Sequence, residues 1–372
     1  MSVKLYVMTH KPFTPPKDPM YVPLHVGRAN AADLGFMGDD SGDSISAYNP
    51  YFCELTGMYW VWKNDFASDY IGICHYRRYL LNAQGRIFTK EQILDLLSEY
   101  DILTTKLLTL TCPYQEGFSQ NHHAKDLIVA GDVLAEKYPA YAPAFQKALR
   151  RPHTYFGNLF ITSREQYDRY CAFLFDILFE VQKRTDFTGY NDYEKRLFGF
   201  LSEFLQTVFL QHNKLRVCEC MAGMVGEKYE TKKLRKQLAE YLEKRAYQEA
   251  KDCFLTCYQK RPDVLMEASD VTGELRLCMQ IISTCSFEEE AYQRCILDDI
   301  RKYDDLIRHF RRLNRVVLHV LSDSLRTEDA LFFRQNPYIT PVATEIAVTL
   351  FCKDPAQKND VIKKLASLRD SF

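Results

Sequence analysis

Residues 49–79, NPYFCELTGMYWVWKNDFASDYIGICHYRRY, leave few folds open. Asn49 reads as an N-cap, with Pro50 at the first helical position, where its missing N–H costs nothing. Phe52, Leu55, Tyr59 and Trp62 recur at three- and four-residue steps and give the helix one apolar face. Lys63, Asn64 and Asp65 end it. Residues 70–74 then form a continuous apolar run without alternation, as in a strand covered on both faces. His75, Tyr76, Arg77, Arg78 and Tyr79 fall at that strand's carboxyl end, the edge where open α/β sheets hold ligands. Two adjacent arginines at such an edge suit an anion. A phosphate or diphosphate is the simplest, because guanidinium forks bind its oxygens bidentately.

A chain of 372 residues has room for about two domains. Its formal net charge of -1 argues against a nucleic-acid partner, which a basic excess would announce. The twelve cysteines have no framework-like spacing. No signal peptide precedes the first strand, so we expect reduced thiols in a cytoplasmic protein. Cys218/Cys220 and Cys253/Cys257 lack the matching Cys or His pairs of a zinc site. No apolar run reaches the ~18–20 residues that cross a bilayer.

Leu5 to Met8 predict a first strand, after which His10 and Lys11 share the arginines' edge if the strands are parallel. Residues 13–48 read as an irregular loop, and loops this long are usually functional. Within it Asp40 and Asp43 are weak candidates for a divalent cation, Mn or Mg, beside the alternative of a solvated turn. Thr89 to Gln92 form a capping box opening a helix, and residues 100–104 a strand. Residues 112–126 read as a polar, aromatic loop holding His123 and Asp126. Another strand spans 155–161, interrupted by Gly157 and Asn158, where a ligand can approach closely. Ser163 caps a long helix to about Lys183. In the helix over 194–211, Phe198, Leu201, Leu205 and Phe209 form the core face, and Arg196, Gly199, Phe200 and Glu203 lie opposite. Those four line either a cleft or a solvated face.

From about Lys228 the pattern turns helical throughout. We divide the chain into a mixed α/β domain over 1–227 and an all-helical, repeat-like domain over 228–372. Tyr241, Ala250, Phe254 and Pro262 follow the order of one tetratricopeptide-type helix pair. Further helices are expected over 274–283, 287–322, 327–334, 341–352 and 355–369. Arg301, Lys302, Arg308, His309, Arg311, Arg312 and Arg315 surround apolar positions, and such a basic amphipathic helix either packs against the first domain, the commoner case, or rests on an anionic membrane surface. The helical domain is also a candidate for homo-oligomer or partner-enzyme contacts.

CELTGMYWVWKN, DYIGICHYRRY, GNLFI, YCAFLFDILFE and GFLSEF, with THKP and VGRAN before them, resemble in that order the DUF4422 family of bacterial capsular and exopolysaccharide glycosyltransferases. The resemblance covers residues 3–221 and leaves the helical domain outside. It implies a GT-A-like mixed sheet flanked by helices. The implied reaction moves a sugar from a nucleotide donor, UDP-linked with galactose in pyranose or furanose form among the options, to a growing glycan that is often lipid-linked. Such enzymes usually carry Asp-x-Asp and a metal where this chain has His75, Tyr76, Arg77 and Arg78, so the arginines are expected to replace the metal and no cofactor is required. Under this resemblance His10, Lys11, Gly27, Asn49, Lys63, His75, Arg77, Arg78 and Asn158 bind the donor, with Glu54 shaping its pocket or supporting the helix. Tyr76, Arg196, Gly199 and Phe200 meet the acceptor sugar. Glu203 is the first choice of general base, with Asp126 and His123 as alternatives. Peripheral contact with the inner face of the cell membrane would suit a lipid-linked acceptor. The competing reading is a non-catalytic adaptor that binds a nucleotide or phosphorylated ligand.

Overall fold

The computed structural model describes residues 1–265 and 269–370, and the chain divides into two compact units, Met1–Val225 and Gly226–Phe372. The first is mixed α/β. Its strands are β1 (Val3–Thr9), β2 (Tyr21–His25), β3 (Met37–Gly38), β4 (Tyr70–His75), β5 (Arg78–Leu81), β6 (Ile102–Thr105), β7 (Leu108–Thr109), β8 (His153–Thr154), β9 (Phe160–Ser163) and β10 (Val217–Met224). Its helices are α1 (Asn49–Phe52), α2 (Leu55–Asn64), α3 (Lys90–Glu99), α4 (Tyr114–Ser119), α5 (Ala124–Lys137), α6 (Ala142–Arg150), α7 (Arg164–Arg184) and α8 (Leu197–Asn213).

β3, β2, β1 and β4 run parallel, and β9 enters antiparallel between β4 and β6. β10 pairs parallel with β6 through its first half and antiparallel with β5 through its second. β4 is covered on both faces, as its unbroken apolar run requires. Ile71 and Ile73 join a core with Phe52, Leu55 and Phe198, while Cys74 joins a second core with Val7, Leu103 and Ile161. The β1–β4 register sets Met8 beside His75, so the residues after both strands do share one edge.

Several local readings are corrected. Residues 13–48 are not wholly irregular, because β2 adds to β1 and β3 to β2. Asn49 is not the N-cap. Tyr48 takes that position, and the Asn49 amide donates instead to the Cys53 carbonyl (2.6 Å) and Thr56 Oγ1 (3.2 Å). The helix over 49–64 is broken at Cys53 and Glu54. Residues 112–126 contain α4 and the start of α5. The strand expected from Tyr155 begins at Phe160, since Gly157 (φ 95°) and Asn158 (φ 49°) are left-handed. The capping box at Thr89 and the Ser163 cap form as their sequences indicate.

The second unit is helical: α9 (Tyr229–Glu243), α10 (Tyr247–Lys260), α11 (Glu274–Tyr292), α12 (Tyr303–Leu321), α13 (Thr327–Gln335), α14 (Pro341–Phe351) and α15 (Pro355–Asp370). The single helix expected over 287–322 is two, because Gln293 turns left-handed and ends α11. The membrane-surface reading of the basic helix fails on α12. Leu306, Phe310, Leu313, Val316 and Val317 are each 0% exposed, so its apolar face is inside the unit's own core. Among the described residues no helix is long and apolar enough to cross a membrane.

Candidate active site

β4 and β5 form a hairpin in which His75 pairs with Arg78, and Tyr76 and Arg77 make the two-residue connection. Met8 O accepts from Tyr76 N (3.0 Å) and Arg77 O from Val225 N (2.8 Å), tying the turn to β1 and to the segment after β10. By alternation, His75 faces the same side of the sheet as Ile71 and Ile73, toward α1, α2 and α8. Tyr76 packs on the other core, edge-on to His10 (5.4 Å) and near Phe13 (6.0 Å). Lys11 follows β1 at the same edge, with Thr9 Oγ1 bonded to its backbone.

Opposite the hairpin stands the left-handed pair Gly157 and Asn158. Two carboxylates hold it. Glu203 Oε1 on α8 accepts the Gly157 N–H at 2.7 Å, and Glu54 Oε1, from the break between α1 and α2, accepts Asn158 Nδ2–H at 2.8 Å. Asn158 is 1% exposed, and its amide is oriented by Ser202 Oγ donating to Oδ1 (3.1 Å) and by Gly199 O accepting from Nδ2 (3.4 Å). A Cβ on Gly157 would stand 2.7 Å from Leu159 Cδ1 and in ordinary contact with Arg78 Nη1 at 3.5 Å, so the guanidinium lies against this turn. His75 Nε2 is buried with no hydrogen-bond partner among the described residues.

The two carboxyls are pushed apart in acidity. Burial raises Glu203 to about 8, helped by the neighbouring Glu54 charge and opposed by the Gly157 amide, Arg78 and Arg196. For Glu54 burial also works against the ionised form. It is outweighed by His75, the Asn158 hydrogen bond, the backbone and Arg196, and the group falls below the usual carboxylate range. Burial lowers His75 to about 4, against the pull of Glu54. With His75 neutral near pH 7, the Asn158 hydrogen bond, the backbone and Arg196 remain to hold the Glu54 charge.

Arg196 donates from Nε to Cys53 Sγ (3.4 Å), with its guanidinium over Tyr193 (5.8 Å) and Phe200 (5.5 Å). Phe200 also meets His122 at 4.1 Å. Cys53 lies against Gly199, its Sγ 3.5 Å from where a Cβ would stand, an ordinary contact distance. The face of α8 opposite its core stripe therefore lines this cluster.

Other candidates lie elsewhere or are engaged. Lys63 ends α2, where the chain turns into the amino end of β4, and its Nζ sits 3.6 Å from the Trp62 ring. It is at the far end of the strand from His75, which removes it from this cluster. Asp126 is 1% exposed, accepts from Tyr190 OH (2.7 Å) and is raised by burial, leaving no room for a substrate hydroxyl. His123 lies tilted against the Tyr190 ring (4.3 Å) and reaches Glu194 (3.4 Å). Gly27 (φ 71°) abuts the Asn49 side chain, and a Cβ there would meet Asn49 Cγ at 2.6 Å. Both shape the loop beside the site.

Asp40 pairs with Arg28 (3.7 Å), and Asp43 accepts from Tyr59 OH (3.0 Å). Among the described residues no three His, Cys, Asp or Glu side chains are grouped to hold a metal. Glu54 stands closer to the chemistry than its sequence context suggests. The available signal is a charged residue inside an otherwise apolar helical pattern.

A protein-family model described as a domain of unknown function, DUF4422, matches residues 4–214. Among solved structures, the apo structure of the WbbM bifunctional glycosyltransferase is similar, with a TM-score of 0.57 and 30% sequence identity. The match covers 61% of this chain and 46% of that one, so the chain spans less than half of that protein. No curated protein matches.

Proposed function

The chain belongs to the DUF4422 family, and on that premise we propose that its first unit is a GT-A-like glycosyltransferase. It takes a nucleotide sugar, a UDP-sugar by preference and galactose in pyranose or furanose form among the options, and passes the sugar to a growing surface-glycan acceptor. The mixed sheet, parallel through β3, β2, β1 and β4 with β9 and β5 antiparallel, supports the fold assignment. The observation that carries the reading is the β4–β5 hairpin, which sets Arg78 at the ligand edge of a parallel sheet, against Gly157 and facing a carboxylate pair. Arg78, with Arg77 beside it, is suited to receive the charge that builds on the leaving diphosphate. The side chains at the strand end do not fit a metal. They are His, Tyr and two Arg, the facing pair Glu54 and Glu203 is engaged by Asn158 and Gly157, and Asp40 and Asp43 are tied to Arg28 and Tyr59. No step is assigned to a metal here.

The test is a thermal-shift panel of UDP, GDP, CMP and their sugars, with and without EDTA, on wild type and Arg78→Ala. A ligand that binds the folded state raises Tm by mass action. We expect one nucleotide to shift wild type in the presence of EDTA, and Arg78→Ala to lose that shift and at least about a hundredfold of turnover. Wild-type turnover in Arg78→Ala would exclude the diphosphate role. Binding without transfer or donor hydrolysis would favour the adaptor reading.

A further inference from the structure

Sequence and fold leave two carboxylates at one turn, and the geometry divides their work. Glu203 holds backbone: its Oε1 takes the Gly157 N–H at 2.7 Å and keeps the left-handed turn in place. Glu54 is held by side chains instead. Asn158 grips one of its oxygens at 2.8 Å, and Ser202 and Gly199 fix that amide so that nitrogen, not oxygen, faces Glu54. The break between α1 and α2 leaves Glu54 at the N-cap of α2, its carbonyl accepting from Met58 N at 3.2 Å. Its neighbour Cys53 adopts φ 51° and ψ −131°, and the Cys53 carbonyl is bonded by Asn49. Beside Glu54 lies the partnerless His75 Nε2, a buried polar atom that a substrate oxygen or hydroxyl would satisfy.

We infer that Glu54, positioned by Asn158, is the general base of the transfer and that Glu203 is the brace of the turn. The inference rests on the glycosyl-transfer reading above. In a single displacement, the acceptor hydroxyl gives its proton to Glu54 while its oxygen bonds to the anomeric carbon. The bond from that carbon to the diphosphate breaks, and the electron pair leaves with the nucleoside diphosphate toward Arg78. The protonation states agree with this division. Glu203, raised to about 8, holds its proton at pH 7, whereas Glu54, lowered, is ready to accept one.

Three variants decide it: Glu54→Gln, Glu203→Gln and Asn158→Gly, the last chosen because glycine accepts the φ of 49°. Glu54→Gln should lose at least about a hundredfold in kcat with donor KM and donor-induced Tm shift preserved. Glu203→Gln keeps an oxygen that can accept the Gly157 N–H and should lose at least about tenfold less kcat than Glu54→Gln at pH 7. Asn158→Gly should lower kcat, leave donor KM unchanged and move the acid limb of the pH profile upward, because a hydrogen bond that holds Glu54 ionised is gone. The opposite ranking of the two Gln variants, or a wild-type profile that rises to a limb near pH 8, returns the role to Glu203 and overturns the inference.

A second arm needs no turnover. Tm is followed against pH for wild type and both Gln variants. Stability owed to a lowered carboxylate is present above its unfolded pKa and fades on acidification, so the Tm deficit of Glu54→Gln should shrink below about pH 4.5. A raised group favours folding when protonated, so Glu203→Gln should gain on wild type as pH rises from 4.5 toward about 8. If wild type transfers no sugar, the glycosyl-transfer reading falls by itself. In that case reversed pH–Tm trends also remove Glu54 as the ionised member, and the expected trends leave the division of charge standing.

Discussion

At Cys53 the backbone takes φ 51° and ψ −131°, which glycine adopts freely and other residues at a cost of about 1–3 kcal/mol. The thiol offsets part of this by packing beside Gly199 and accepting from Arg196. It is a neutral acceptor there, because burial raises its pKa. Cys53→Gly and Cys53→Ala both delete the sulfur and differ in the Cβ that opposes this φ. The glycine variant should therefore melt above the alanine variant, by about 2–4 °C for roughly 1 kcal/mol in a unit of this size. A lower Tm for the glycine variant would mean that the turn is not strained. Nothing in the local sequence signals this residue. Phe52, Leu55 and Tyr59 keep helical spacing across the break, and what opens it is the Asn49 amide bonding Cys53 O.

α2 lies on β1 and the segment after β2 through a position without a side chain. A Cβ on Gly57 would stand 2.4 Å from Met8 Sδ and 2.7 Å from Val26 Cγ1. Met8 can turn, but Val26 is stiff about χ1, so the helix would have to lift. Gly57→Ala gains about 1 kcal/mol of helix propensity and should still destabilise, since overpacking costs about 1–3 kcal/mol and also displaces Glu54. Denaturant titration should show a lower midpoint at unchanged slope. A higher midpoint would mean that α2 has slack against the sheet. Elements of this kind were largely readable: the two-sided burial of β4, the Thr89 box and the two faces of α8 follow from spacing alone. β2 and β3 were not readable, because so short a pair of parallel additions makes sense only beside β1.

Each of the three buried apolar clusters lies within one unit, two in Met1–Val225 and one in Gly226–Phe372. A fragment of residues 1–225 should therefore fold, unfold cooperatively and keep the nucleotide-induced Tm shift. A fragment that stays molten would show that the first core needs the helical unit. Three of the four arginines of α12 have partners within the second unit. Arg308 pairs with Asp305, Arg311 reaches Glu274 (3.5 Å), and Arg312 lies over Phe332 (4.5 Å). With the apolar face of α12 buried as well, the helix has no apolar surface left to lay on lipid, and its arginines stand on the outer face of the unit.

Periodicity alone determined α7, the core stripe of α8 and the buried strand β4, and residues 49–79 determined that two arginines follow the carboxyl end of that strand. Both follow from local rules: a 3.6-residue repeat, an unbroken apolar run, and a strand that can end only where its hydrogen-bonded ladder ends. Tertiary structure alone decided that Lys63 lies at the wrong end of β4, that Asp126 is sealed by Tyr190, and that Glu54 and Glu203 grip neighbouring residues of one turn. Protonation was decided there too. The acidity of a carboxyl depends on burial and on charges brought close from distant parts of the chain, and no spacing of letters fixes those distances.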